Sequence, residues 1–454
     1  MGVIHTGPGL KRSVTLLQAI MYGIGLILGA GIYVLIGDVA AISGNAMWIS
    51  FLLAAAMASF TGLSYAELSS VFPKSAAEYV YVKESFGNNF LALIVGCLTI
   101  FVAITSAATV AIGFSGYLAV LLPQYPPILY AVGLVLVLSF LNYYGIRESV
   151  WVNSIFTIVE VSGMLIIISV GLSLGSFAET NYFEMPSMAY ASDSAIILTI
   201  LASTVLVFFA YYGFENISNI SEETKNSTKT IPRAIIVSIL VTTIIYVLVA
   251  LTTVALVGWE ELSNSNAPLA LAASKALGTN GTAILTVIAL FATTNTVLMM
   301  LISGSRIIFG IAKYDKAIPS ILAQVHTSRK TPWLATIFTM AFTVSTIILY
   351  SGRLADVAAV SVFSISIVFA LVNLSVICLR LKQPNLKRPF MSPLKVKNLP
   401  ILAVLGFVMT VVIMFQFNIH VLSSALVALI CIIILCLILT KRKTDQKLEG
   451  SLKF

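Results

Sequence analysis

Long apolar runs separated by short polar breaks dominate the chain. A helix needs about 20 apolar residues to cross a bilayer. Runs of that order fall near 14–37, 46–70, 88–122, 127–146, 150–175, 194–218, 233–258, 281–311, 333–351, 356–380, 399–418 and 420–440. They predict twelve membrane helices, the last two joined by a very short link around Asn418-Ile419-His420. Two runs are interrupted. The first, Gln18–Gly37, carries glycine at positions 23, 25, 29, 31 and 37. Each glycine costs about 1 kcal/mol relative to alanine inside a helix. One explanation is close helix packing, for which Gly25/Gly29 has the small-xxx-small spacing. The other is a break in the helix, whose freed N–H and carbonyl groups bind a carboxylate and an amine. The sixth run holds Gly213 and Glu215 near its middle, flanked by Phe208, Phe209, Tyr211, Tyr212 and Phe214. An ionisable group at membrane depth is a functional candidate. Runs one and six are each the first of five and enter from opposite sides. Paired interruptions at corresponding places in two inverted halves mark a transporter site, and this favours a break at Gly29–Gly31.

Composition narrows the picture further. Of 454 residues, 59% are hydrophobic and only 10% charged, against about a quarter charged in soluble domains. This excludes a soluble domain of useful size and indicates an all-α polytopic membrane protein. The net charge of +8 reads as topology, with no nucleic acid implied. Lys11 and Arg12, then Lys74 and Lys83, Arg147, Lys225, Lys229 and Arg233, Lys313 and Lys316, Arg329 and Lys330, the group Arg380–Lys397, and the tail from Lys441 all fall on one side. Only Lys275 and Arg353 fall in the opposite loops. Basic loops stay inside, so both termini are expected to be cytoplasmic, in the cell membrane. The polybasic tail is either a lipid contact or an ordinary stop-transfer flank, and is too short to fold by itself. Nothing resembles a cleaved signal peptide. Cys97, Cys378, Cys431 and Cys436 lie in apolar runs without metal-ligand spacing, so no disulfide, metal or cofactor is expected. His5, His326 and His420 are isolated and receive no role. No HExxH, GxSxG or aspartate pair occurs in the runs, so the chain is not read as an enzyme. A nutrient receptor that binds without transporting is a further alternative, but no signalling domain accompanies it.

Four stretches carry a resemblance to a known family: GLILGAGIYVLIG (Gly25–Gly37), SYAELSSVFPKSAAEYVYVKESFG (Ser64–Gly87), FFAYYGFENISNISEETKNSTKTIPRAI (Phe208–Ile235) and SGSRIIFGIAKYDKAIP (Ser303–Pro319). The chain resembles the amino acid permease branch of the amino acid–polyamine–organocation (APC) transporters from about Arg12 to Thr440. The resemblance implies a LeuT-type fold with a 5+5 inverted repeat and two extra C-terminal helices. The organisation expected is a cytoplasmic segment 1–13, a transport core 14–380 with halves 14–175 and 194–380, two further helices in 399–440, and a tail 441–454. The function implied is secondary active transport of an amino acid by alternating access, with an amino acid/polyamine exchanger as the alternative. Where such permeases commonly read Lys-Asn-Pro before span seven, this chain has Lys225-Asn226-Ser227.

An amino acid brings a carboxylate, an ammonium and a side chain. The carboxylate is expected at the N–H groups of Ala30, Gly31 and Ile32, where Gly29 and Gly31 permit close approach. The ammonium is expected at carbonyls freed at Ile27 and around Phe209–Tyr212, next to Gly213. The resemblance implies a capping role for Phe209. Span three offers Val102, Ala103, Ser106 and Ala107, all small and uncharged. Apart from Glu215, no carboxylate is placed to pair with a cationic side chain, and a buried unpaired ammonium is costly, so a neutral amino acid is favoured. Glu215 either couples the break to gating or caps exposed N–H groups. Thr293, Thr294, Asn295 and Thr296 in span eight supply hydroxyls to an ion or the site, or bond between helices. Glu67, Lys74 and Glu78 are expected in the loop after span two as structural and gate pairs. Glu160 in span five stands where proton-coupled relatives typically have lysine. An ionised carboxylate in an apolar site is disfavoured, which suits proton coupling. Direct ligation of sodium, or a structural pairing with Arg306, are the competing readings.

Overall fold

In the computed structural model, residues 10–186, 192–265, 268–315, 318–350, 354–417 and 419–451 are described. His5, Lys316, Arg353 and Lys453 lie outside them. Inside a bilayer every backbone polar group must be satisfied within the chain, and the apolar runs do this as helices. In order these are α1 (Leu16–Leu28), α2 (Ala30–Ser43), α3 (Met47–Val71), α4 (Ala77–Phe86), α5 (Asn89–Leu121), α6 (Pro127–Tyr144), α7 (Ile146–Leu174), α8 (Asp193–Ala210), α9 (Ser227–Val257), α10 (Trp259–Ser263), α11 (Pro268–Leu277), α12 (Thr279–Tyr314), α13 (Trp333–Tyr350), α14 (Leu354–Lys382), α15 (Ile401–Met414) and α16 (Ile419–Ser451). A 3-10 helix, Phe214–Glu223, follows α8. Lys395–Val396 and Leu399–Pro400 form a small antiparallel hairpin before α15. Among the described residues, ten stretches are long and apolar enough to cross a membrane, and two shorter apolar helices, Trp333–Leu349 and Ile401–Met414, accompany them.

Local sequence sets several helix starts. Thr15 caps α1 in a capping box with Gln18. The Asn88 side chain accepts from the N–H groups of Phe90 and Leu91 to open α5. Packing then decides which helices are central. The α1 helix and the 3-10 helix touch each other, and both pack on α9 and α12. This shared enclosure brings the interruptions of runs one and six to the middle of the bundle. At the periphery, α15 and α16 pack on α14, and α16 presents most of its apolar surface outward.

Two expectations change. Glu67 is not in a loop: α3 runs to Val71, and Glu67 is buried in its last turns, paired with Arg380 at 2.5 Å and Arg388 at 3.3 Å. The backbone N–H of Ser392 also donates to it, at 2.9 Å. The tail is not separate either. The α16 helix continues past Lys441 to Ser451, because extending a formed helix escapes the nucleation cost that an isolated tail would face.

Candidate functional site

Span one breaks at a single residue. Gly29 leaves helical geometry (φ −23°, ψ −154°), ending α1 and starting α2 with no side-chain cap on the new N-terminus. Span six breaks over Tyr211–Gly213, between α8 and the 3-10 helix. Gly213 has φ 129°, a left-handed value that L side chains rarely adopt. The two breaks abut. A Cβ on Gly213 would lie 3.0 Å from Leu26 Cβ, and one on Gly31 would lie 3.2 Å from Ala210 Cα. A Cβ on Gly29 would strike the Thr296 hydroxyl. Of the residues expected to bind substrate, Gly31 therefore meets Ala210, Gly213 meets Leu26 beside Ile27, and Gly29 meets Thr296.

A residue that sequence reasoning missed holds this junction. The Tyr246 hydroxyl on α9 lies 2.5 Å from the Ile27 carbonyl and 3.1 Å from the Ala210 carbonyl, so its one O–H reaches a carbonyl of each break. Its ring is fully buried between Phe51 and Tyr211. Its sequence context, one tyrosine in an apolar run, carried no signal beyond the hydroxyl's need for a partner. Glu215, for which two roles stood open, caps the break: the N–H of Gly213 donates to it at 2.9 Å, and the Asn216 amide donates at 2.6 Å.

Span three lies alongside. Val102, Ala103 and Ala107 are buried, Ser106 half-buried, and Ala103 faces Gly304 of α12. Tyr212 faces Ser106 and also packs against Phe369 of α14, as do Phe208 and Phe214. Phe209 is half-buried and in no ring pair among the described residues.

Beside the break sits a second polar group of residues. Asn153, Thr157 and Glu160 share one face of α7, spaced i, i+4 and i+7. Asn153 donates to Asn295 of α12 at 2.8 Å, Asn295 donates to Thr157 at 3.2 Å, and Thr157 donates to the Met21 carbonyl of α1 at 3.2 Å. Gly25 gives them room: a Cβ there would strike Thr157 and Asn295. Glu160 is fully buried, and neither carboxyl oxygen has a hydrogen-bond partner among the described residues. Within the span-eight cluster, Asn295 and Thr296 reach span one. Thr293 and Thr294 donate instead to carbonyls of their own helix, at Ala289 and Leu290. Arg306 is not the partner of Glu160. It is fully buried against Glu223, Nε and Nη2 each 3.0 Å from a carboxyl oxygen, and donates to Asn142 at 2.5 Å.

This pair belongs to a network on the side of the basic loops. The N–H groups of Ser13 and Val14 donate to the Glu223 carbonyl. Glu222 binds Lys313 at 2.6 Å, the Tyr314 hydroxyl, and the N–H of Ser75 at 3.1 Å. The loop before α4 is fastened to the 3-10 helix by Ala77 N–H donating to Asn219 at 2.9 Å, and Asn219 in turn donates to Glu78 at 3.4 Å. Glu78 is fully buried, and that burial pushes its carboxyl up to about 7. It binds its proton more tightly folded than unfolded. The folded state therefore gains stability as pH falls from about 7 toward the ordinary carboxylate value, and loses it as pH rises through about 7. Glu78→Gln is expected to flatten this limb in thermal unfolding of the purified protein between about pH 5 and 8. A variant that keeps the wild-type pH slope would remove Glu78 from the account.

Comparison with known proteins bears on the same chain. A family profile described as amino acid permease matches residues 14–439. A branched-chain amino acid permease of Bacillus subtilis is 32% identical over 421 residues, covering 87% of this chain and 86% of that protein. A methylthioribose transporter of the same organism is 30% identical, covering 85% and 84%. The large neutral amino acids transporter small subunit 2 of Mus musculus is 29% identical, covering 84% and 73%.

Proposed function

The chain belongs to the amino acid permease family, and on that premise we propose that it carries a neutral amino acid at the two helix breaks, with a proton taken up at Glu160. The protein is a multi-pass membrane transporter. The observation that carries the proposal is the abutment of the Gly29 and Gly213 breaks. The uncapped N-terminus of α2 offers the N–H groups of Ala30, Gly31 and Ile32 to the carboxylate. The carbonyls of Ile27 and of Phe209–Tyr212 take the ammonium. Tyr246 occupies one lone pair of the Ile27 carbonyl and leaves the other. The side chain extends toward Val102, Ala103, Ser106 and Ala107, under Phe209. The uncharged lining fits the branched-chain and large neutral substrates for which two relatives are named.

We read α13 and α15 as spans nine and eleven, which makes twelve. On that reading, residues 14–175 and 194–380 are the inverted halves and 399–440 the added pair. Segments 1–13 and 441–454 are cytoplasmic, as the basic loops favour. Motion of α1 and the 3-10 helix against the rest gives alternating access. Glu215 and the span-eight residues Thr293 and Thr294 act in gating.

Coupling is assigned to Glu160 because it is a fully buried carboxyl beside the span-one break whose oxygens have no hydrogen-bond partner among the described residues, and ionisable groups at membrane depth mark proton relays. The test is uptake of radiolabelled leucine into proteoliposomes under an imposed pH gradient or an imposed sodium gradient. Wild type should accumulate leucine on the pH gradient alone. Glu160→Gln should lose accumulation and keep exchange. Sodium-driven uptake would make the Asn153–Thr157–Glu160 face a cation site. The methylthioribose transporter relative supports a second reading, an uncharged thiosugar as substrate. Competition by methylthioribose without competition by leucine would favour it.

A further inference from the structure

A separate site lies at the corner between α6 and α7. A cavity of about 130 Å³ is lined by Lys11, Tyr144, Arg147, Glu148, Ser328 and Arg329. Lys11, Arg147 and Arg329 come from three different segments, are exposed, and enter no ion pair among the described residues. Glu148 is the only acid in the lining, and it folds back over Gly145 at the start of its own helix. There it offsets the helix N-terminus and forms no ion pair with the three cations among the described residues. The Arg329 guanidinium stands 3.8 Å over the Tyr144 ring, which pre-orients a planar donor at the mouth of the cavity. Such a set of donors matches a phosphate oxyanion.

What adjoins the cavity identifies the bearer of the phosphate. The corner is a tight turn between two apolar helices, so it lies at headgroup level. From it, α6 presents Val137 and Phe140, and α7 presents Trp151, Ile155 and Ile158, all exposed apolar side chains. They lie on the two helices that meet at this corner. A free anion has no use for these side chains, whereas an acyl chain lies along them. We propose that the Lys11–Arg147–Arg329 cavity binds the phosphate headgroup of an anionic phospholipid, with its chains against the outer faces of α6 and α7. The inner leaflet follows from the orientation given above, but the chemistry does not depend on it.

The test reads binding and is independent of transport. Detergent-solubilised full-length protein is titrated with phosphatidylglycerol or phosphatidylcholine, and bound lipid is counted by native mass spectrometry. Thermal unfolding is followed in parallel. Wild type should retain phosphatidylglycerol and be stabilised by it over phosphatidylcholine. Arg147→Gln/Arg329→Gln should weaken that binding by about tenfold or more, since each surface cation adds appreciably to anionic-lipid attraction. The charge-matched control Lys382→Gln/Lys395→Gln, at the end of α14 and in the hairpin before α15, should bind as wild type does. If the double variant misfolds, Lys11→Gln alone, outside the helices, should still weaken binding. Equal loss in the control would reduce the effect to general charge and overturn the site. Stabilisation of wild type by millimolar inorganic phosphate alone would overturn the lipid as its occupant. Equal retention of both lipids by wild type would also overturn the proposal.

Discussion

Arg306→Met is expected to destabilise the protein by about 3–5 kcal/mol, the cost of leaving a buried charge without its partner. Glu223 would then be fully buried with no cation, because Arg306 supplies both contacts to its carboxyl oxygens. Asn142 would lose a donor at its Oδ1, although its amide still donates to Leu301 and Ser305. Removing both charges is a different experiment. Arg306→Met/Glu223→Met should regain most of the lost stability, since apolar replacements of a buried pair are often neutral or better. The backbone carbonyl of Glu223 would still receive Ser13 and Val14. Melting temperature and monodispersity in detergent check both statements. A single variant as stable as wild type would show that water reaches the pair. A double variant as unstable as the single would move the importance from charge compensation to the Asn142–Ser305 hydrogen bonds.

The second large effect is on binding. Gly213→Val should leave an inserted, monodisperse protein that no longer binds or transports substrate. A β-branched residue at φ 129° is strained, by an amount on the order of 1–3 kcal/mol, which alone is roughly a 5- to 150-fold effect on the equilibrium that keeps the break in place. Its Cβ would also press on Leu26 at 3.0 Å and on the Leu26 carbonyl carbon and oxygen at 3.2 Å. Two of these three contacts are backbone and cannot rotate away. The two breaks must therefore move apart, and the carbonyls and N–H groups they present lose their common focus. Gly213→Ala carries the same φ strain without the branch and should fall between the two. Leucine binding by scintillation proximity on purified protein checks this. Wild-type affinity in Gly213→Val would mean that the substrate does not sit at the junction.

What could be read from the chain alone followed from two strong rules. Bilayer-length apolar runs must become helices, so a helical membrane protein was determined by the runs themselves. Glycines in a membrane helix are tolerated only for packing or a break, and their recurrence in runs one and six pointed to Gly29 and Gly213, where the helices do break. Glu215 was recognisable as an ionisable group at depth, but its choice between capping and gating was not. The break at Gly213 decides the local part: it frees an N–H that the carboxylate two residues on accepts.

The partners of buried polar groups were out of reach for the same physical reason throughout. A hydrogen bond or ion pair depends on which helix faces meet, and those meetings span large distances in sequence. Arg306 had several acids within plausible reach, among them Glu160, and only the packing of α12 beside the 3-10 helix joins it to Glu223. Glu67 read as a loop residue until α14 and the hairpin segment brought Arg380, Arg388 and Ser392 to it. Tyr246 looked like any aromatic in an apolar helix, yet α9 lies where one hydroxyl reaches carbonyls of both breaks. Local composition against a fixed bilayer thickness thus sets the membrane helices and points to the two glycine breaks. Helix packing settles that the breaks abut, that Tyr246 ties them, and that Arg306 pairs with Glu223 while the buried Glu160 oxygens have no hydrogen-bond partner among the described residues, because those outcomes depend on how the helices turn toward one another.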